Sequence, residues 1–336
     1  YKSSSKVVAV VSAMGDTTDN LINLANEISR KPRPREYDAL ISNGENISAS
    51  LLAMAIHEHG IGAISLTGPQ AGIRTENSYS KAKILNIDTA RIQQELDKEQ
   101  VVIITGFQGI NEYLDVTTIG RGGSDTSAVA LAAALGCKVC EIYTDVDGVY
   151  TTDPRIVKTA SKIPEISYGE MLELASLGAK VLHPRAVECA KENGIEIHVR
   201  SSFNSNLGTI VKEASTMEVN RPVTGITLNK DAAKVSILKV PDQPGIAGKL
   251  FEKLSQNNIN VDMIIQSAQK NHINNITFTV DQGDCENAVL LTKKIADDLG
   301  AEGVEWDDSV AKLSIVGVGM ISKPGVAATM FKVLGD

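Results

Sequence analysis

The chain has 336 residues, 43% of them hydrophobic, with 33 Lys+Arg against 41 Asp+Glu and a formal net charge of −8. That length suits two domains, each with enough apolar content to bury a core. The acidic balance, without a Lys/Arg block or aromatic-basic interleaving, argues against a nucleic-acid partner; without a bilayer-length apolar run (~20 residues) or a secretory-signal layout, a cytoplasmic, non-membrane protein with small-molecule partners is expected.

From residue 7 to about 200, β-branched runs alternate with amphipathic ones. "VVAVV" (7–11), "IGAISL" (61–66), "VVIITG" (101–106), "CEIYT" (140–144) and "IEIHV" (195–199) are strand-like. Helical periodicity falls near 17–30, 45–59, 88–98, 125–136 and 184–193. Such alternation predicts an α/β fold, mainly parallel, with helices on both faces and ligands at the carboxyl ends of the strands. Cys137 and Cys140 form a CxxC inside "CKVCEIYTD". Read as one strand, it points the two thiols to opposite faces, and the four cysteines are expected to be buried and reduced.

Residues 201–224 shift to Ser, Asn and Thr, as a domain junction would. An internal repeat follows: "AKVSILKVPDQPGIAGKLFEKL" (233–254) returns as "AKLSIVGVGMISKPGVAATMFKVL" (311–334), with Pro244 matching Pro324. The first copy continues through strands at 259–267 and 274–280, a helix near 284–299 and a return near 303–306. That order is the ferredoxin-like split unit.

Four stretches carry chemistry. "GRGGSDTSAVALAAALG" (120–136) places three glycines where a helix begins, a corner suited to an anion. "SNGE" (42–45) opens another helix. "YTDVDGVYTTDPR" (143–155) ends a strand at Thr144 and Asp145 and enters a loop with Asp147, Gly148, Tyr150, Asp153 and Arg155, suited to a nucleotide or a hydrated cation. In "SLGAKVLHPRA" (176–186) a lysine, Lys180, precedes a Pro-initiated helix and could neutralise a phosphate. The glycines do not follow the first strand as G-x-G-x-x-G, and no GxxxxGK[ST] occurs, which excludes both common phosphate-loop signatures. His57 and His59 suggest no metal site, and His183 reads as closing a turn.

Taken together, "SNGE", "ITGFQG" (104–109), "TTIGRGGSDTSA" (117–128), "YTDVDGVYTTDPR" and "GAKVLHPRA", in this order, resemble the blocks of the aspartate kinase family within the amino-acid kinase superfamily. The paired units after residue 224 resemble its two ACT domains. The resemblance implies a three-layer catalytic domain over 1–212, a linker over 213–224, a first α+β ACT domain over 225–308 and the start of a second over 309–336. The strand near 224–229 would be a candidate to pair with the second. Residues 1–12 resemble the family's second strand, so its first strand, with the Lys-Phe-Gly-Gly-Thr-Ser block, is expected to be missing, as is the end of the second ACT domain.

The implied reaction is transfer of the ATP γ-phosphoryl group to the side-chain carboxylate of L-aspartate, the first step toward lysine, threonine and methionine. By resemblance Arg121 would grip the substrate α-carboxylate and Glu45 its ammonium, with Gly122, Gly123, Ser124 and Asp125 completing the pocket. Ser124, Thr144, Asp145, Tyr150, Thr152, Asp153 and Arg155 would line the ATP site, and Lys180 would reach the phosphates. Arg121, Asp125 and Lys180 are thus the catalytic candidates. A carboxylate nucleophile is ionised at pH 7 and needs no general base. Catalysis would be positioning and charge neutralisation, with Mg²⁺ screening the phosphates and no protein metal cage.

In the ACT unit, the resemblance assigns Asp242, Gln243, Pro244, Gly245, Ile246, Ala247, Asn260, Val261, Asp262 and Gln266 to an effector site for lysine, threonine or both. It also implies homo-oligomerisation through these units. Two other readings stand beside it: a non-catalytic effector-binding subunit, and a relative acting on glutamate or acetylglutamate.

Overall fold

Chain order in the computed structural model begins with β1 (Val8–Val11), α1 (Thr17–Ile28), α2 (Pro34–Ile41), α3 (Asn43–Glu58), β2 (Ala63–Leu66), β3 (Ile73–Thr75) and β4 (Ile84–Ile87). It continues through α4 (Ala90–Asp97), β5 (Val101–Thr105), β6 (Gln108–Ile110), β7 (Val116–Thr118), α5 (Gly123–Ala134), β8 (Val139–Thr144), β9 (Glu165–Ser167) and α6 (Tyr168–Ser176). Then come α7 (Pro184–Asn193), β10 (Glu196–Ser201), β11 (Thr209–Lys212), β12 (Gly225–Pro241), α8 (Ile246–Gln256), β13 (Ile264–Ala268), β14 (Ile273–Asp281), α9 (Cys285–Leu299), β15 (Gly303–Val316) and α10 (Val326–Gly335). The structure describes residues 5–179, 181–214, 222–257, 259–268, 273–320 and 323–335. They fall into two units, Tyr1–Gly225 with Val316–Asp336, and Ile226–Ile315.

The first unit is built on parallel pairing. β5 lies between β1 and β2, with Val102 opposite both Val8 and Ile64. All five residues of β5, "VVIIT", are buried, as a run without alternation requires. A second sheet runs β8-β10-β11-β9, parallel at β8/β10 and β9/β11 and antiparallel between β10 and β11. The third, β4-β3-β6-β7, is mostly antiparallel and was not expected, because its three- and four-residue strands are too short to show a period.

Helix α5 explains its own position. Beyond its polar first turn it reads "AVALAAA" (128–134), apolar on every face, which suits a helix packed against more than one core. Leu131 joins the core of Val102 and Ile104, whereas Val129 and Ala132 join that of Ile142 and Val187. The helix packs against both β1 and β8 and so carries its N-terminus to their carboxyl ends. Each fully buried Ile or Val here contributes about 1.5–3 kcal/mol.

Two helices went unread in the sequence. α2 starts at Pro34, where the missing N–H costs nothing, and buries Asp38. Its carboxylate accepts from the Ser80 N–H (2.8 Å) and hydroxyl (3.2 Å) and from the Thr118 N–H (2.7 Å) and hydroxyl (2.9 Å). α6 begins with a capping box in which Ser167 and Glu170 satisfy each other's backbone N–H groups.

The second unit is an antiparallel sheet ordered β13-β14-β12-β15, with α8 and α9 packed against each other. Ala233, Val235, Ile237, Leu250, Phe278 and Ala288 form its core, and Phe251 meets Phe278 edge-on at 5.8 Å. The order is that of the expected split unit. Two boundaries differ. The strand read over 259–267 starts only at Ile264, because Ile259 turns into the core and residues 260–263 are irregular. The return near 303–306 and the first strand of the second repeat copy are one continuous strand, β15. Both copies place a left-handed glycine before their helix, Gly245 (φ 88°) ahead of α8 and Gly325 (φ 98°) ahead of α10.

All four cysteines are free thiols, but Cys189 is only half-buried and Cys137 is exposed and precedes β8, so the expectation that all are buried, Cys137 within the strand, is corrected. The chain turns at Leu135–Gly136 after α5 and enters the sheet only at Val139. Cys140 is buried, which pushes its thiol up to about 12.

Candidate functional site

In the first unit the ends of β1 and β5 meet the start of α5, and the start of α3 reaches the end of β1. Gly106, just past β5, donates its N–H to Val11 O (3.0 Å) at the end of β1. Across from it stands Ser124: a Cβ on Gly106 would lie 2.7 Å from Ser124 Cβ. Only glycine permits that approach of strand end and helix. α5 itself starts behind Gly122 in the left-handed conformation (φ 66°), with no side chain capping its first turn. The Gly123 N–H is taken by Gly120 O (2.9 Å), so it is the Ser124 and Asp125 N–H groups, with the positive end of the helix dipole, that suit an anion.

Glu45, in the first turn of α3, is 4% exposed. The Ala13 N–H, two residues beyond β1, donates to its Oε1 (3.3 Å), whereas its Oε2 is buried without a partner. Burial pushes its carboxyl up to about 7. A buried carboxylate oxygen with nothing to accept from is a place for a donor, and a cation there would restore the ionised form. The half-buried Asp125 is likewise raised by burial, to about 6, against the opposing pull of the His183 backbone N–H.

The glycine turn is held from both sides. Gly120 (φ 89°) and Gly122 flank Arg121, whose side chain is exposed. The His183 side chain packs on Gly122, where an added Cβ would lie 2.1 Å from His183 Cβ. Gly123 is covered by Phe107, itself left-handed (φ 68°) and fixed by a Ser127 hydroxyl accepting its N–H (3.2 Å). His183, expected to close a turn, caps α7 by accepting the Arg185 N–H at Nδ1 (3.3 Å). Arg185 donates to Ile119 O and to Ala82 O (3.0 Å). The sequence reading had not singled it out.

At the end of β8, the Thr144 hydroxyl donates to Asp145 (3.0 Å), and the loop beyond folds back on β11 through Val149 N–H to Thr209 Oγ1 (2.8 Å). Asp147 accepts from Tyr150 Oη (2.7 Å), Lys162 Nζ (3.0 Å) and Asn206 Nδ2 (3.3 Å). The Tyr150 hydroxyl foremost, then Lys162 and Asn206, hold its carboxyl below the usual range. Asp147 is thus internally satisfied, and Lys162 and Asn206 belong to the loop although no sequence signal marked them. Arg155 grips Asp153 bidentately (3.0 and 2.8 Å), so these two are tied to each other, and Thr152 is half-buried beside them. Lys180 lies outside the described residues.

In the second unit, a cavity of about 450 Å³ opens where β12 turns into α8. Asp242, Gln243, Pro244, Gly245, Ile246, Ala247 and Gln266 line it, together with Asn274, which sequence reading missed. Asn274 Nδ2 donates to Asp242 Oδ1 (2.9 Å) and orients it. Asn260, Val261 and Asp262 are not brought to this cavity. Val261 packs on the core, and Asp262 pairs with Lys312, whose side chain is 8% exposed.

Comparison with known proteins follows the same division. Residues 1–201 match the amino acid kinase family and residues 238–294 an ACT domain. Aspartokinase of Bacillus sp. (strain MGA3) is 52% identical over 333 residues, covering 99% of this chain and 81% of its own. Aspartate kinase from Synechocystis is 46% identical, with a TM-score of 0.56, over 98% of this chain and 58% of that longer one. E. coli aspartokinase III in complex with aspartate and ADP is 30% identical with a TM-score of 0.76, covering 94% of this chain and 71% of that one. The same enzyme in complex with lysine and aspartate is 29% identical with a TM-score of 0.70. With both regions matched, with relatives of this identity spanning nearly the whole sequence, and with an anion corner beside a buried carboxylate, the chain belongs to the aspartokinases, ATP-dependent kinases of the amino acid kinase family.

Proposed function

We propose that the first unit transfers the γ-phosphoryl group of ATP to the side-chain carboxylate of L-aspartate, giving 4-phospho-L-aspartate, and that the second binds lysine, threonine or both as end-product effectors. The observation that carries the first half is the orphaned Oε2 of Glu45, buried beside the strand ends that also hold the Arg121 turn. An α-amino acid presents an ammonium and a carboxylate on one carbon. Glu45 would take the first and the Arg121 guanidinium, with its planar pair of donors, the second. Gly122, Gly123 and Ser124 leave room for the substrate side chain at the mouth of α5, whose first-turn N–H groups would face the transferred phosphoryl group.

The nucleophile is the substrate's own carboxylate, already ionised at neutral pH, so the protein's task is alignment and neutralisation. Thr144, Asp145 and the Tyr150–Asp147 loop would form the nucleotide wall. Among the described residues no group of three or more His, Cys, Asp or Glu is arranged to cage a metal. Mg²⁺ would instead be carried on the phosphates, with Asp145 and Asp125 orienting its water shell. That fits a hard cation which keeps several waters and screens phosphate charge when bound.

The cavity beside Asp242 supports the regulatory half: Asp242, Gln243, Gln266 and Asn274 give its lining polar groups, and it is sized for an amino acid. The complex of E. coli aspartokinase III with lysine is consistent with an amino-acid effector. β13, at the edge of its sheet with Ile264 and Ile265 each 52% exposed, supports pairing of these units in a homo-oligomer. No helix among the described residues is long and apolar enough to cross a membrane.

The test is to trap the product. An acyl phosphate reacts with hydroxylamine to a hydroxamate, so Mg-ATP, aspartate and hydroxylamine should yield aspartyl hydroxamate. Formation of ADP without hydroxamate would contradict a carboxyl acceptor.

A further inference from the structure

We propose that Arg185 is a positioning residue for substrate binding: from the N-terminus of α7 it fixes the Gly120–Gly123 turn so that Arg121 is presented to the substrate carboxylate. The proposal rests on the substrate reading given above. Arg121 sits between two left-handed glycines, the residues with the most backbone freedom to lose. A turn of that kind holds one shape only if its surroundings impose it.

Phe107 covers Gly123, and the contacts on either side of Arg121 come from one tripeptide, His183-Pro184-Arg185. On the entry side, the Arg185 guanidinium donates to Ile119 O and to Ala82 O (3.0 Å). Those carbonyls belong to segments already joined elsewhere: the Ile119 N–H donates to Phe107 O (2.8 Å) and the Ala82 N–H to Thr118 O (2.9 Å). On the exit side, the His183 side chain packs on Gly122. The Arg185 N–H bonds back to His183 Nδ1 (3.3 Å), so both halves of the clamp share one helix start. The two carbonyls are reached from separate nitrogens of the guanidinium fork, Nη1 and Nη2, a spacing that the single nitrogen of an ammonium does not reproduce.

The experiment compares wild type, Arg185→Ala and Arg185→Lys in aspartate and Mg-ATP affinity by calorimetry, in unfolding midpoint, and in the rate of trypsin cleavage after Arg121. With two charge-assisted hydrogen bonds removed, Arg185→Ala should bind aspartate roughly 10-fold more weakly and be cut after Arg121 roughly 10-fold faster. Arg185→Lys should fall between and serves if the alanine variant does not fold. Mg-ATP affinity should stay within about twofold, and millimolar methylguanidinium should restore the alanine variant. Unchanged aspartate affinity and cleavage in a variant whose parent binds aspartate would overturn the proposal, as would a parallel loss of Mg-ATP affinity. A wild type that does not bind aspartate would contradict the substrate reading, while the cleavage arm would still decide whether Arg185 fixes the turn.

Discussion

Replacing Glu45 by Gln separates what this residue costs the fold from what it does for the substrate. Its carboxyl moves from an ordinary 4.5 to about 7 because it is 4% exposed and one oxygen has no partner. At about 1.4 kcal/mol per pH unit, that gap means the ionised form costs the fold on the order of 3 kcal/mol. The raised value fixes the direction: the favourable protonated state is fully present below 4.5 and is lost as pH rises through about 7. Glutamine keeps the shape, the acceptor for Ala13 and neutrality at every pH. Glu45→Gln should therefore match wild type at pH 4.5 and exceed it at pH 8.5 by up to about 3 kcal/mol, read as the urea midpoint of the catalytic unit. Aspartate KM should rise about 30-fold or more, since the substrate ammonium would lose its buried counter-charge. For wild type, kcat/KM for aspartate should climb with pH toward a plateau above about 7. Equal stability gains at both pH values, or an unchanged aspartate KM, would refute the reasoning.

Other perturbations follow from single contacts. Gly122→Ala places a methyl group 2.1 Å from His183 Cβ at φ 66°, so it should lower activity at least tenfold and the unfolding midpoint with it, checked by paired kinetics and urea titration. Asp38→Asn leaves one of the Ser80 and Thr118 donors facing an amide NH₂, costing about 2–4 kcal/mol by denaturant unfolding. Phe278→Ala should cost about 3–5 kcal/mol in the second unit, followed by near-ultraviolet dichroism. Asn274→Ala frees Asp242 from its 2.9 Å bond and should weaken feedback inhibition roughly tenfold. The uninhibited kcat should stay the same, as inhibition curves would show.

Where the sequence was legible, periodicity and glycine did the telling. The buried run of β5 and the apolar second half of α5 announce their places, and Gly120, Gly122 and Gly123 announce a turn with no room for a Cβ at those three positions. Elements of three residues, such as β3, β6 and β7, hold too few positions to carry a pattern and exist only because neighbouring strands pair with them. The helices α2 and α6 did carry signals, Pro34 at a first turn and a Ser167–Glu170 capping box, that were not read. Arg185 and Asn274 escaped for another reason. Their partners lie 66 and 32 residues away, at Ile119 and Asp242, and only the folded chain brings such pairs together. The same long-range packing turned Val261 into its core and Asp262 to Lys312, away from the cavity to which the family resemblance had assigned them.

Phosphorylation of aspartate under the control of end-product amino acids can be measured directly. The most direct measurement is ADP release from Mg-ATP with aspartate, glutamate or acetylglutamate offered separately, with and without lysine plus threonine. ADP release with aspartate alone, suppressed by the effectors, is the predicted result. Release with another acceptor, or with none of the three, would contradict it.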